Sequence, residues 1–165
     1  MPTLPLHIST LLLAALLFGG CATRFDIGAA EQRITPQQAA NNIGLAQNKT
    51  IAWGGIIVAA RNLASQTQLE VLSYPLDDHG RPQREAKAGG RFIALHTGYL
   101  ELANYAEGRL VTMTGTVNET RAGNVGEAHY VFPVLVIKNL FLWPTPDEEA
   151  TKPQFQFGVG VGISR

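Results

Sequence analysis

The chain has one cysteine, Cys21, and no Asp, Glu, Lys or Arg ahead of it; the first charged residue is Arg24. A lone cysteine excludes an internal disulfide and any site built from several thiolates. No stretch of roughly 18 residues runs without polar interruption, so the sequence offers no candidate membrane-spanning helix. Charge is sparse, 16% of residues against a usual ~25%. The 13 basic and 13 acidic side chains cancel and are spread rather than blocked. That balance argues against a nucleic-acid partner, which needs a basic face. No Gly-x-Ser-x-Gly motif occurs, so no serine sits in a nucleophile elbow. Gly158, Gly160 and Gly162 are not followed by a helix that would hold a phosphate, so they are no dinucleotide loop.

What is present begins with Leu11–Phe18, an apolar run closed by Gly19-Gly20-Cys21. An apolar core of this length ending in small residues reads as a secretory signal. A cysteine directly after the small residues makes it a bacterial lipobox. The expected chemistry is diacylglyceryl transfer to the Cys21 thiol, cleavage after Gly20 and acylation of the new amine. Ala22 rather than Asp follows the cysteine, which by resemblance to known sorting rules points to the outer membrane. The segments expected are a signal peptide over 1–20, a tether over 21–34, a folded domain over 35–144, and a linker with a Gly-rich strand over 145–165. With Cys21 acylated, the expected partner is membrane lipid, with an envelope protein or a glycan as the alternative further partner, and no cofactor is implied.

Thr35-Pro36-Gln37-Gln38 is a helix start. Thr35 caps, Pro36 suits the first helical position and Gln38 completes a capping box. Two or three helical turns are expected, with Ala39, Ala40, Ile43 and Ala46 as the apolar stripe. Strand patterns follow over Ile51–Asn62, Thr67–Leu76, Arg91–His96, Arg109–Glu119 and Tyr130–Trp143. Gly54-Gly55 is expected to mark a bulge or barrel bend. Asp77–Pro82 carries turn chemistry, and Leu102–Glu107 reads as one helical turn. Val111, Met113, Gly115 and Val117 share one face of the fourth strand. Thr112, Thr114 and Thr116 share the other, expected to be wet. Gly123-Asn124 and Gly126 read as a turn. The last of these strands is apolar on both faces and should be buried on both, with Pro133 at a bulge or edge contact. In Gln154–Ile163, Phe155, Phe157, Val159, Val161 and Ile163 alternate with Gln156 and the three glycines. This is strand periodicity, read as a final strand on a sheet edge or, alternatively, as one that recruits a partner or lies on a membrane, or as a disordered tail.

These patterns predict an all-β fold with minor helix: a small five- to six-stranded OB-like barrel, closed or partly open, preceded by a short N-terminal helix. Four stretches resemble the Slp family of bacterial outer-membrane lipoproteins. They are Thr50–Ile57 around Trp-Gly-Gly, Leu69–Pro82 ending in Gly-Arg-Pro, Gly90–Val117, and Tyr130–Pro144 ending in Leu-Trp-Pro. The family commonly carries Asp-Pro where this chain has Leu102-Ala103. The resemblance implies a single small domain on the periplasmic face of a Gram-negative outer membrane, with no established catalytic activity, and supplies no ligand.

Candidate chemistry is thin. His79, His96 and His129 lie at no metal-ligand spacing, so no metal site is expected; His96 reads as a satisfied, half-buried side chain. Asp77-Asp78 and Glu148-Glu149 are adjacent acids of the kind that sit in water. Arg91 and Arg109 each follow a glycine at a strand start, as charged flanks or as a ligand-facing pair. Tyr74 and Tyr99 are candidates for a stacking face, while Trp53 and Tyr105 suit the core. The expectation is a non-enzymatic envelope lipoprotein acting in maintenance or stress. The alternative is a lipid-anchored module that binds a glycan or peptide through Tyr74, Tyr99, Arg91 and Arg109.

Overall fold

The computed structural model describes residues 23–151; Cys21, the signal segment and the Gly-rich stretch 154–163 lie outside them. Thr35 caps the first helix, α1 (Pro36–Asn41), as its sequence dictates. Its hydroxyl accepts from the Gln38 N–H at 3.2 Å, and the Gln38 side chain accepts from the Thr35 N–H at 2.9 Å. α1 is shorter than expected. At Asn42 the backbone turns extended, and the Asn42 side chain accepts from the Gly44 N–H to start a 3₁₀ turn over Ile43–Leu45. An asparagine amide competes with the helix for its own backbone donors. Ala39 and Ala46 of this segment are fully buried.

Five strands follow: β1 (Ile51–Asn62), β2 (Gln66–Tyr74), β3 (Gly90–Thr97), β4 (Leu110–Val125) and β5 (Ala128–Leu142). They close into a barrel in the order β1-β2-β3-β5-β4. All pairings are antiparallel except β3 with β5, which run parallel through only Ile93↔Val134, Ala94↔Leu135 and Leu95↔Val136. This is the five-stranded Greek-key plan of the OB-fold. Ile51, Trp53, Ile57, Leu69, Val71, Phe92, Val111, Met113, Val117 and Leu135 form the core, with Tyr105 packed against it. Period-two alternation on each strand aims these residues inward. Helix α1 and its 3₁₀ turn pack on β3, β4 and β5, bracing the short parallel seam.

Several local expectations change. The β1 bulge falls at Val58, between the pairs Ile57↔Val71 and Ala59↔Glu70. Gly54 and Gly55 instead sit in continuous ladders with β2 and β4. Their role is close approach, since a Cβ on Gly55 would collide with the Leu72 carbonyl. Thr112 and Thr114 are not wet; they are 0% and 3% exposed. The outer wall of the barrel is covered there. Thr112 Oγ1 donates to the Gly80 carbonyl at 2.7 Å and accepts from Trp143 Nε1 at 2.9 Å, and Thr114 Oγ1 accepts from the Asn139 amide. Only Thr116 is exposed.

β4 runs through Gly123-Asn124, and the reversal comes at Gly126-Glu127, where Gly126 has φ +60°. Two-sided burial of β5 is confined to its middle, with Val131 and Val136 exposed. Pro133 pairs with Thr120, beside a β4 bulge at Asn118 and just before the β3 seam opens at Val134. Leu102–Glu107 makes hydrogen-bonded turns closed by Glu101, not a helix.

Both flanks of the barrel are tied to it. Phe25 donates its N–H to the His79 carbonyl and stacks on Phe141 at 5.6 Å. Glu31 pairs with Ile51 as a short parallel bridge. Residues 25–34 of the expected tether therefore lie along the barrel. After β5, Thr145 caps a second short helix, α2 (Pro146–Ala150), through a capping box with Glu148, where a linker was expected.

Candidate functional site

A cleft of about 840 Å³ opens where the segment entering α1 meets the end of β2 and the start of β3. Hydrogen bonds between distant parts of the chain fix its walls. Gly89 N–H donates to the Ser73 carbonyl and Gln37 N–H to the Gly89 carbonyl. The Tyr130 hydroxyl accepts from the Arg91 N–H at 2.8 Å and reaches Gln37 Oε1 at 3.3 Å. Gly90 turns with φ +105°, and a Cβ there would press on Gln37. Trp53 forms the floor. It is 3% exposed, packs on Phe92 at 5.0 Å and donates its indole N–H to the Ile34 carbonyl at 2.6 Å. The expected core role of Trp53 holds.

Tyr74 and Arg91, two of the four candidate ligand residues, line this cleft together. Arg91 also forms an ion pair with Glu70 at 2.6 Å. The other two candidates are elsewhere. Tyr99 is 66% exposed at the opposite end of the barrel, its hydroxyl donating to the Ala64 carbonyl in the β1–β2 connection. Arg109 belongs to a second, smaller depression of about 350 Å³ with Trp143 and Arg81.

There Arg109 is a clamp. Its guanidinium donates to the Trp143 carbonyl at 3.3 Å and to Glu148 at 3.0 Å, while its buried Nε has no partner among the described residues. Arg81 lies 5.1 Å over the Trp143 ring and pairs with Glu149 at 3.5 Å. Glu148-Glu149 thus tie α2 to the barrel. Exposed pairs of this kind contribute little each. Arg91 and Arg109 do not form a ligand-facing pair.

The Thr145 N–H holds the Glu148 carboxyl below the usual glutamate range, with Arg109 adding to the shift. A lowered folded value means that the stabilisation is present at neutral pH and is lost as pH falls through that value. The Thr145 amide resonance is expected to titrate with a midpoint below that of an ordinary glutamate. Glu148→Gln should abolish the titration. A normal midpoint contradicts the capping box.

The histidines stay apart in role. His79 lends its carbonyl to Phe25, and His129 Nδ1 meets Asn124 at 3.1 Å. His96 differs from expectation: its Nδ1 is buried without a hydrogen-bond partner among the described residues. Asp77 is a turn residue whose Oδ1 accepts from the His79 and Arg81 N–H groups. Burial pushes the Tyr105 phenol up, against an opposing pull from Arg109.

Sequence reasoning did not anticipate Arg33, Lys87 and Tyr130 at the cleft. No local pattern marks them, because they meet only through strand pairing and α1 docking. Among the described residues the lining offers cations, amides and aromatic rings, and no carboxylate, imidazole or thiol. Such a surface is suited to holding a ligand.

Comparison with known proteins gives a consistent picture. A family model described as "Outer membrane lipoprotein Slp family" matches residues 18–160. An uncharacterized protein of Haemophilus influenzae is 34% identical, covering 81% of this chain and 75% of its own. The uncharacterized lipoprotein YeaY of Escherichia coli is 29% identical over 85% of this chain and 74% of its own. Outer membrane protein Slp of Escherichia coli is 29% identical over 62% of this chain and 54% of its own. No solved structure matches the chain.

Proposed function

Because the chain belongs to the Slp family of outer membrane lipoproteins, we propose that Cys21 is its acylated first residue and that location, rather than catalysis, defines its work. The supporting observation is the apolar run Leu11–Phe18 with Gly19-Gly20-Cys21 directly behind it, overlapping the start of the family match at residue 18. One acyl chain holds a protein marginally; two or more hold it stably. A triacylated Cys21 keeps the barrel on the periplasmic face of the outer membrane, as an envelope-maintenance or stress protein.

The fold adds a distance. Phe25 is seated against His79, Gly80 and Phe141. The chain from Cys21 to Phe25 spans at most about 14 Å when extended. The leash is short, so the barrel rides close to the headgroups.

Cys21→Ala is expected to move the protein from the outer-membrane fraction to the soluble periplasm. If the variant still sediments with outer membranes, the anchor assignment fails.

A second reading is favoured by one observation: the cleft brings Tyr74 and Arg91 together beneath α1. On this reading the barrel is a lipid-anchored module that binds a glycan or peptide.

A further inference from the structure

The charge of the cleft is unlike that of the whole chain. The protein nets zero, yet among the described residues the lining carries Arg33, Lys87 and Arg91 and no acidic residue. Arg91 is largely neutralised by Glu70. Arg33 and Lys87 are exposed and form no ion pair among the described residues. The nearby Glu31 carboxylate accepts from the Arg33 backbone N–H at 2.8 Å rather than from its guanidinium. Two cations therefore stand at the rim with their charge uncompensated by the site.

The aromatic groups divide in the same way. The Trp53 indole and Tyr130 phenol are committed to hydrogen bonds that hold the walls. Tyr74 is half-buried, and its hydroxyl makes no hydrogen bond among the described residues. Its ring is the one free to receive a flat apolar face. Gln32 adds a neutral amide to the lining. An extended peptide is disfavoured, because strand addition needs unpaired backbone groups and along the start of β3 the Arg91 N–H is already given to the Tyr130 hydroxyl and the Gly89 carbonyl to the Gln37 N–H.

We propose that this cleft binds a saccharide carrying a carboxylate or phosphate, with the sugar ring against Tyr74 and the anionic group met by Arg33 and Lys87. Arginine grips both groups in bidentate fashion, and about 840 Å³ lies within the usual range for ligand pockets. The proposal rests on the binding-module reading and narrows it to an anionic sugar.

The test is calorimetric titration of the mature lipidated protein in detergent micelles, with trigalacturonate, neutral maltotriose and inorganic phosphate as probes. Trigalacturonate should bind at least about tenfold more tightly than either of the others, and its affinity should fall with added salt. The double variant Arg33→Gln/Lys87→Gln should lose about tenfold or more, and Tyr74→Ala a similar factor. Tyr99→Ala, at the far end of the barrel, should change nothing. All of these positions are exposed or half-buried, and unchanged circular dichroism verifies folding. Equal binding of maltotriose and trigalacturonate, lost in Tyr74→Ala, overturns the anionic assignment and leaves the glycan module standing. Phosphate binding as tightly as trigalacturonate overturns the saccharide part. Binding of no probe overturns the proposal and the glycan reading together.

Discussion

Gly55→Val is expected to lower stability by about 3 kcal/mol or more, enough to unfold much of a domain of ordinary stability. The cause is backbone against backbone. A Cβ at Gly55 would strike the Leu72 carbonyl and come within 2.9 Å of the Ser73 Cα. Gly55 pairs with Ser73 on β2 and with Val111 on β4. A larger residue therefore cannot be relieved by a rotamer change; it must push β1 off a neighbouring strand and open the barrel wall. Thr116→Val on the exposed face of β4 is the matched control, expected within about 0.5 kcal/mol of the parent. Urea unfolding of the three proteins reads the difference. Similar midpoints for Gly55→Val and Thr116→Val would mean that β1 and β2 do not approach as closely as the register requires.

Trp143→Ala is expected to cost about 3–5 kcal/mol. Trp143 is 1% exposed and lies outside the barrel core, where it builds a second apolar cluster on the outer wall. Phe141 meets it edge-on at 4.8 Å and itself stacks on Phe25. Arg81 covers the ring, and the indole N–H is bonded to Thr112. Removing the ring leaves a cavity and strips the cover from a buried threonine. It also undercuts the seat of Phe25 on Phe141. The urea midpoint should fall with little change in the slope. A loss below about 1 kcal/mol would show that this outer cluster is not part of the cooperative fold.

The readable parts of the fold were those set by near neighbours. Thr35, Pro36 and Gln38 cap α1 by contacts three residues apart, and the structure reproduces them. β1 spans Ile51–Asn62, the bounds that its apolar pattern gives. Inward Val111, Met113 and Val117 follow from period two alone. The parts that were not readable depend on what covers a face. Thr112 is sheltered by Gly80 and Trp143, 32 and 31 residues away. No alternation along β4 can report that cover.

The same limit governs the candidate site. Tyr74 and Arg91 could be singled out as an aromatic and a charged residue near strand ends, and they share the cleft. Arg109 has the same local signature, a glycine before it at a strand start, and differs only because Glu148, 39 residues on, engages it. Tyr130 enters the cleft through Gln37, 93 residues earlier in the chain. Contacts of that separation are set by topology.

The anchor is tested most directly by intact-mass spectrometry of the protein purified from its own envelope. A polypeptide beginning at residue 21, heavier than its sequence by a diacylglyceryl thioether and an amide-linked acyl chain, is the expected result. A free thiol at Cys21, or a leader still attached, contradicts it.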